Sequence, residues 1–188
     1  MSYYDIDDIL ADSTKVPCRF NYNIPGLGYL EGNIGQDIKK NAKVELPLWL
    51  GRVLAIVGGD SESSGLEDDE ALSFIELITP ELLAPRVINA IKSGPVSLDV
   101  RSINSHFYAL AVKWATLFND RNLVEVLNYM LLERSQEIRN HASSTDLDNL
   151  AQGRDPSTFM LTLDEFEKVI YRSSHESCKD MKQWMVQK

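Results

Sequence analysis

Residues 45–50 read ELPLWL, and Gly51-Arg52-Val53-Leu54-Ala55-Ile56-Val57 follow without a break. Pro47 suits the first position of a helix and Gly58-Gly59 its stop. The helix between them is about 11 residues long, far too short to cross a bilayer. A surface helix carries one apolar stripe. This one is apolar nearly all round, with Leu48, Trp49 and Leu50 side by side and only Gly51 and Arg52 interrupting. Such a helix is either a buried core helix of this one chain or packs between the β-rich domain and the helical domain with one face left for a partner chain. It also divides the sequence, because the two sides obey different periods.

On the N-terminal side, Ile6, Ile9 and Leu10 fall at helical spacing behind Asp5, with Asp7 and Asp8 in the first turn, where the helix dipole favours acids. Val16, Cys18, Phe20 and Tyr22 then alternate as in a strand, and Pro17 predicts an edge strand or the start of one. Leu27-Gly28-Tyr29 reads as a second short strand, and residues 43–46 alternate again. Residues 1–46 are thus expected to form a small β-rich domain with one leading helix, followed by the connecting helix over 47–59. Residues 60–70, DSESSGLEDDE, hold six acids and no base. An acidic linker over 60–71 is expected.

Beyond it the pattern is helical. A helix is predicted to begin at Pro80, capped by Thr79, and to stop at Gly94-Pro95. A second covers roughly 104–118 with Phe107, Leu110 and Trp114. A third follows Asp120 with Leu123, Leu127, Met130, Leu131, Arg134 and Ile138 on its stripe. Residues 143–158 read as a polar loop. Thr162-Leu163-Asp164-Glu165 reads as a capping box that opens a long final helix. The fold class is therefore α+β, mainly α, with a small β-rich domain followed by a larger helical bundle over 72–188.

The 188 residues carry a net charge of −9, with no basic block. That argues against direct DNA or RNA binding and against anionic membranes, both of which need clustered Lys and Arg. Cys18 and Cys178 stand far apart with no CxxC, so two free thiols are expected, and neither a zinc framework nor a redox dithiol. The N-terminus has no secretory pattern, and no apolar run reaches membrane-spanning length, so an intracellular, soluble protein is expected. Gly26-Leu27-Gly28 lacks the third glycine of a dinucleotide loop and reads as a turn. His106, His141 and His175 lie on three different predicted helices with no metal-ligand spacing, and Ser105 and His106, as helical neighbours, diverge and are not expected to pair. No catalytic, metal-ligating or cofactor-binding residue is expected.

Several phrases then stand in a telling order: YYDIDDILAD, VPCRF, IPGLGYLE, ELPLWL with LAIVGGD, SINSHFYALAVKW, and LDEFEKVIYRSSHESCKDMKQWM. Together they closely resemble the PSF-three family of GINS subunits in its fungal form. The resemblance runs over nearly the whole chain and is weakest in the acidic stretch and the 143–157 loop. It implies a nuclear DNA replication factor with a β-rich B domain preceding a helical A domain. It implies a heterotetramer with PSF-one, PSF-two and SLD-five, joined to the MCM ring and the CDC-forty-five protein in the replicative helicase (the CMG complex). ATP hydrolysis would belong to MCM, and this chain would be scaffold. A stand-alone acidic protein-binding module is the alternative.

The interface or domain-packing candidates are Leu48, Trp49, Leu50 and Ile56 on the connecting helix, with Tyr108 and Tyr129 on the bundle. Tyr108 lies off the Phe107–Trp114 stripe, and Tyr129 stands beside Met130. Phe107, Trp114, Leu127 and Met130 are expected in the core. Truncating Trp49 to Ala is expected to be severe, about 3–5 kcal/mol for a buried Trp.

Overall fold

The computed structural model describes residues 4–57, 73–143 and 156–187. The acidic stretch at 60–71 and most of the polar loop lie outside these residues. The chain forms two compact units, residues 1–81 and 82–188.

The first unit starts with α1 (Ile6–Ser13), whose Asp5 caps the helix by accepting from the Asp7 N–H. The strand β1 (Lys15–Phe20) follows and buries Val16, Cys18 and Phe20 on one face. β1 pairs antiparallel with β2 (Lys43–Pro47), Cys18 opposite Val44. It also pairs antiparallel with β3 (Ile75–Leu77), Cys18 opposite Leu77. The sheet order is β2-β1-β3, so β1 is central; of the two positions that Pro17 suggests, an edge strand or the start of one, Pro17 takes the second, two residues into β1. Proline is tolerated there because the β1–β3 ladder ends at Cys18–Leu77. Beyond that pair, Pro17 only accepts, from the Ile78 N–H at 2.9 Å. β3 also moves the domain boundary: the first compact unit runs to residue 81, not to 46 or 59.

Residues 27–29 are not a strand. Gly28–Glu31 form a 3₁₀ turn. A Cβ on Gly28 would stand 2.4 Å from the Gln36 carbonyl oxygen and 2.6 Å from that of Asn33, so only glycine fits. The paired glycines thus serve a tight turn.

The ELPLWL stretch resolves into the end of β2 and the start of α2 (Leu48–Ile56). The Leu48 N–H donates to the Thr14 carbonyl at 3.0 Å, tying α2 to the end of α1. α2 lies across all three strands. Gly51 faces the sheet, and a Cβ there would stand 3.0 Å from Leu77 Cδ2 and 3.5 Å from Cys18 Sγ. The interruption at Gly51 is therefore what lets the helix approach the sheet.

The second unit is helical. The helix expected from Pro80 begins instead at Pro85 as α3 (Pro85–Ser93), behind a 3₁₀ turn at Glu81–Leu83. Pro85 lacks an N–H and suits only the first turn of a helix. Short α4 (Val100–Ile103) and α5 (Phe107–Phe118) follow. α6 (Arg121–Ser143) has Asp120 Oδ1 accepting from the Leu123 N–H at 3.1 Å. α7 (Pro156–Thr162) leads to α8 (Glu165–Val186). The cap of α8 is Asp164, not Thr162: its Oδ1 accepts from the Glu167 N–H at 2.8 Å, while Thr162 closes the preceding helix by donating to the Phe159 carbonyl.

Arg134 meets Glu167, Ala142 meets His175, and Ser143 meets Lys182. The contacts advance together along α6 and α8, so the two helices run parallel. His175 Nδ1 lies 3.2 Å from the Ala142 carbonyl and Lys182 Nζ donates to that of Ser143 at 3.3 Å, both in the last turn of α6. Phe107, Leu110, Trp114, Leu127, Met130 and Ile138 are buried, as the helical stripes predict.

Replacing Gly51 by valine, which forces branched carbon against Leu77 and Cys18, should destabilise the first unit by about 1–3 kcal/mol. Urea unfolding followed by circular dichroism checks this; a midpoint equal to wild type would contradict the close approach.

Candidate protein-interaction site

α2 separates the notable apolar residues by role. Leu48 is buried, and Leu50 is half-buried. Trp49 is 52% exposed and Ile56 74%, with Val53 beside them. At about 100° per residue Trp49, Val53 and Ile56 share one face, opposite the Leu48–Gly51 face that meets the sheet. The helix is apolar all round because it has an inner and an outer face. Truncating Trp49 will therefore cost less than the full value for a buried Trp.

On the bundle, Tyr129 is 44% exposed on α6, and Leu132 on the same helix is more exposed still. Tyr108 is not at the surface. It is 6% exposed, its Oη donates to Glu167 Oε1 at 3.0 Å, and its backbone N–H donates to Asp164 Oδ2 at 3.2 Å. Lying off the Phe107–Trp114 stripe turned it toward α8 rather than toward solvent.

Tyr108 belongs to a buried polar cluster. Arg134, 2% exposed, holds Glu167 with two bonds: Nε donates to Oε1 at 2.5 Å and Nη2 to Oε2 at 2.9 Å. Its Nη1 donates to the carbonyls of Pro95 and Leu98 at 2.9 and 2.8 Å. One guanidinium thus joins α6, α8 and the turn at Pro95–Ser97. Arg134 lies on the apolar stripe of α6, and a lone Arg among Leu and Met at core spacing is the sequence signal of a buried acid opposite. Burial raises the Asp164 carboxyl to about 6, against two backbone N–H bonds that lower it. Burial foremost, and then the Glu167 charge, push the Tyr108 phenol far up, so it stays a donor.

Ser105 and His106 do meet: Ser105 Oγ lies 2.9 Å from His106 Nδ1. The divergence expected of helical neighbours does not apply, because both precede α5. The His106 N–H donates to Asn104 Oδ1 at 2.7 Å in the same loop. His141 stacks on Phe159 with ring centroids 4.0 Å apart. Cys18 and Cys178 are free thiols, and burial raises the Cys18 thiol to about 11. Among the described residues no cluster of three His, Cys, Asp or Glu is placed to hold a metal, and no helix is long and apolar enough to cross a membrane.

Each of the two units contains the match to one family model. Residues 4–56 match the PSF3 N-terminal domain, and residues 82–186 match the GINS complex protein helical bundle domain. The chain belongs to the PSF3 family of DNA replication complex GINS proteins. A relative named DNA replication complex GINS protein PSF3 from Kluyveromyces lactis is 61% identical over 190 residues, covering both chains fully. Proteins of the same name from Saccharomyces cerevisiae and Eremothecium gossypii are 53% and 50% identical, again over the full length of both chains. In this PSF3-family chain the exposed apolar face of α2 lies inside the first matched domain. The Arg134–Glu167 cluster lies inside the second.

Changing Arg134 to Met leaves Glu167 buried without its cation and should destabilise the bundle by about 3–5 kcal/mol. Adding Glu167→Leu should recover part of that loss in chemical unfolding, since no charge is then stranded. Equal losses in the single and double variants would contradict the ion-pair assignment. The raised Asp164 pKa means the folded state holds more protons than the unfolded one between about pH 4 and 6. Its contribution to stability therefore falls as pH rises through that window. Asp164→Asn keeps a capping side chain and should flatten the stability profile between pH 4 and 6 relative to wild type. A pH dependence identical to wild type would contradict this.

Proposed function

We propose that this chain is a non-catalytic scaffold subunit of a nuclear, heterotetrameric GINS assembly with PSF-one, PSF-two and SLD-five. Through that assembly it joins the MCM ring and the CDC-forty-five protein in the replicative helicase, and ATP hydrolysis belongs to the ring. The observation that carries this reading is the outer face of α2, where Trp49, Val53 and Ile56 stand exposed within the matched PSF3 N-terminal domain. Large aromatic and aliphatic side chains left in water by a rigid helix favour association, because a partner removes their apolar surface from solvent. Tyr129 and Leu132 repeat the pattern on α6. The net charge of −9 supports a role reached through protein partners rather than through DNA.

Size-exclusion chromatography with light scattering tests the reading. The chain is expressed alone and with the other three GINS subunits of its species. The expected result is self-association or poor recovery alone and a 1:1:1:1 assembly together. A stable monomer that ignores the other three chains would overturn it and favour the stand-alone acidic module. In the four-chain preparation, Trp49→Ala and Tyr129→Ala should each weaken incorporation by about tenfold, while the far-ultraviolet circular dichroism of the chain is unchanged.

A further inference from the structure

Asp164 serves two helices with one carboxyl group. Its Oδ1 accepts from the Glu167 N–H at 2.8 Å and caps α8. Its Oδ2 accepts from the Tyr108 N–H at 3.2 Å, in the first turn of α5. His106, at the N-cap position of α5, makes no side-chain bond to that helix, so Asp164 supplies the cap that α5 lacks locally. Asp164 is fully buried, and an N–H that loses its acceptor there finds no water to replace it. The starts of two helices far apart in the sequence thus hang on separate oxygens of one side chain.

An ionised carboxylate accepts on both oxygens, whereas a protonated one keeps one carbonyl acceptor and gains a hydroxyl donor. Both N–H groups are therefore fully served only while Asp164 is charged. We propose that Asp164 is a proton-sensitive joint between α5 and α8: protonation at Oδ2 releases the Tyr108 N–H and leaves the cap of α8 in place. The longer of the two bonds marks the side that gives way. Glu167 of α8 repels the Asp164 charge and Arg134 of α6 attracts it, while the Tyr108 phenol of α5 stays protonated. Glu165 of α8 is held by Arg101 of α4 and by Lys168, and His106 is the titratable group nearest to Tyr108 in sequence. Burial sets the Asp164 transition at about pH 6. Below it the bundle sheds a buried charge, so Asp164 adds stability there even as the start of α5 loosens. The joint lies within the bundle and does not depend on the scaffold reading.

The test is heteronuclear NMR of the full-length chain across about pH 5–7, with hydrogen exchange of the same amides corrected for its intrinsic pH dependence. On acidification the Tyr108 amide should shift and lose protection with a midpoint of about pH 6. The Glu167 amide should shift with the same midpoint and stay protected. Asp164→Asn has one acceptor oxygen at every pH, so Tyr108 should stay released and neither amide should titrate. His106→Gln should leave the wild-type titration intact. A Tyr108 amide that is equally protected across the window would overturn the proposal. So would a titration that survives in Asp164→Asn or disappears in His106→Gln. The wild-type titration is decisive by itself if Asp164→Asn does not fold.

Discussion

The second unit depends on one buried ion pair. Arg134 and Glu167 are both essentially inaccessible to water, and neither charge could stay there alone. Their partnership fixes the register of α6 against α8, and the remaining donors of Arg134 secure the turn at Pro95–Ser97. Tyr108 and Asp164 complete the arrangement from α5 and from the cap of α8. Apolar packing alone would tolerate sliding of two parallel helices. A two-bonded guanidinium–carboxylate pair does not, because a shift of one turn strands both charges. A rigid bundle of this kind can hold side chains such as Tyr129 and Leu132 at fixed places on its outer surface.

The first unit solves a different problem. A three-stranded sheet is close to the smallest that is stable, and it needs a cover. α2 supplies it, and Gly51 sets how closely the helix approaches. The remaining face of α2, with Trp49, Val53 and Ile56, is exposed in the chain alone; under the proposed scaffold role a partner would cover it.

Much of this was legible in the sequence. The alternation of Val16, Cys18 and Phe20, the leucine stripe of α6 and the breaks at Gly94-Pro95 came through directly, because burial on one face leaves a period behind. Pro17 left an edge strand or the start of one open, and only the ladders show that it sits near the start of a central strand. What failed did so for local reasons. Tyr108 suggested a surface, but a position off the main stripe of α5 still faces α8. The short β3 has three residues, too few for a period to show, and it moved the domain boundary. The apolar stripe of α1 was visible; that Ile6, Ile9 and Leu10 are exposed was not. Amphipathicity reports that a helix has an apolar side and is silent on whether that side meets its own domain or a neighbour.

The central claim is that apolar helix faces left outside each unit are completed by other chains. Hydrogen exchange read by mass spectrometry over residues 48–57, in the chain alone and in the four-chain assembly, tests it most directly. The account predicts markedly slower exchange of this segment in the assembly, with little change in the buried strand β1. Exchange over α2 that is the same in both states would contradict it.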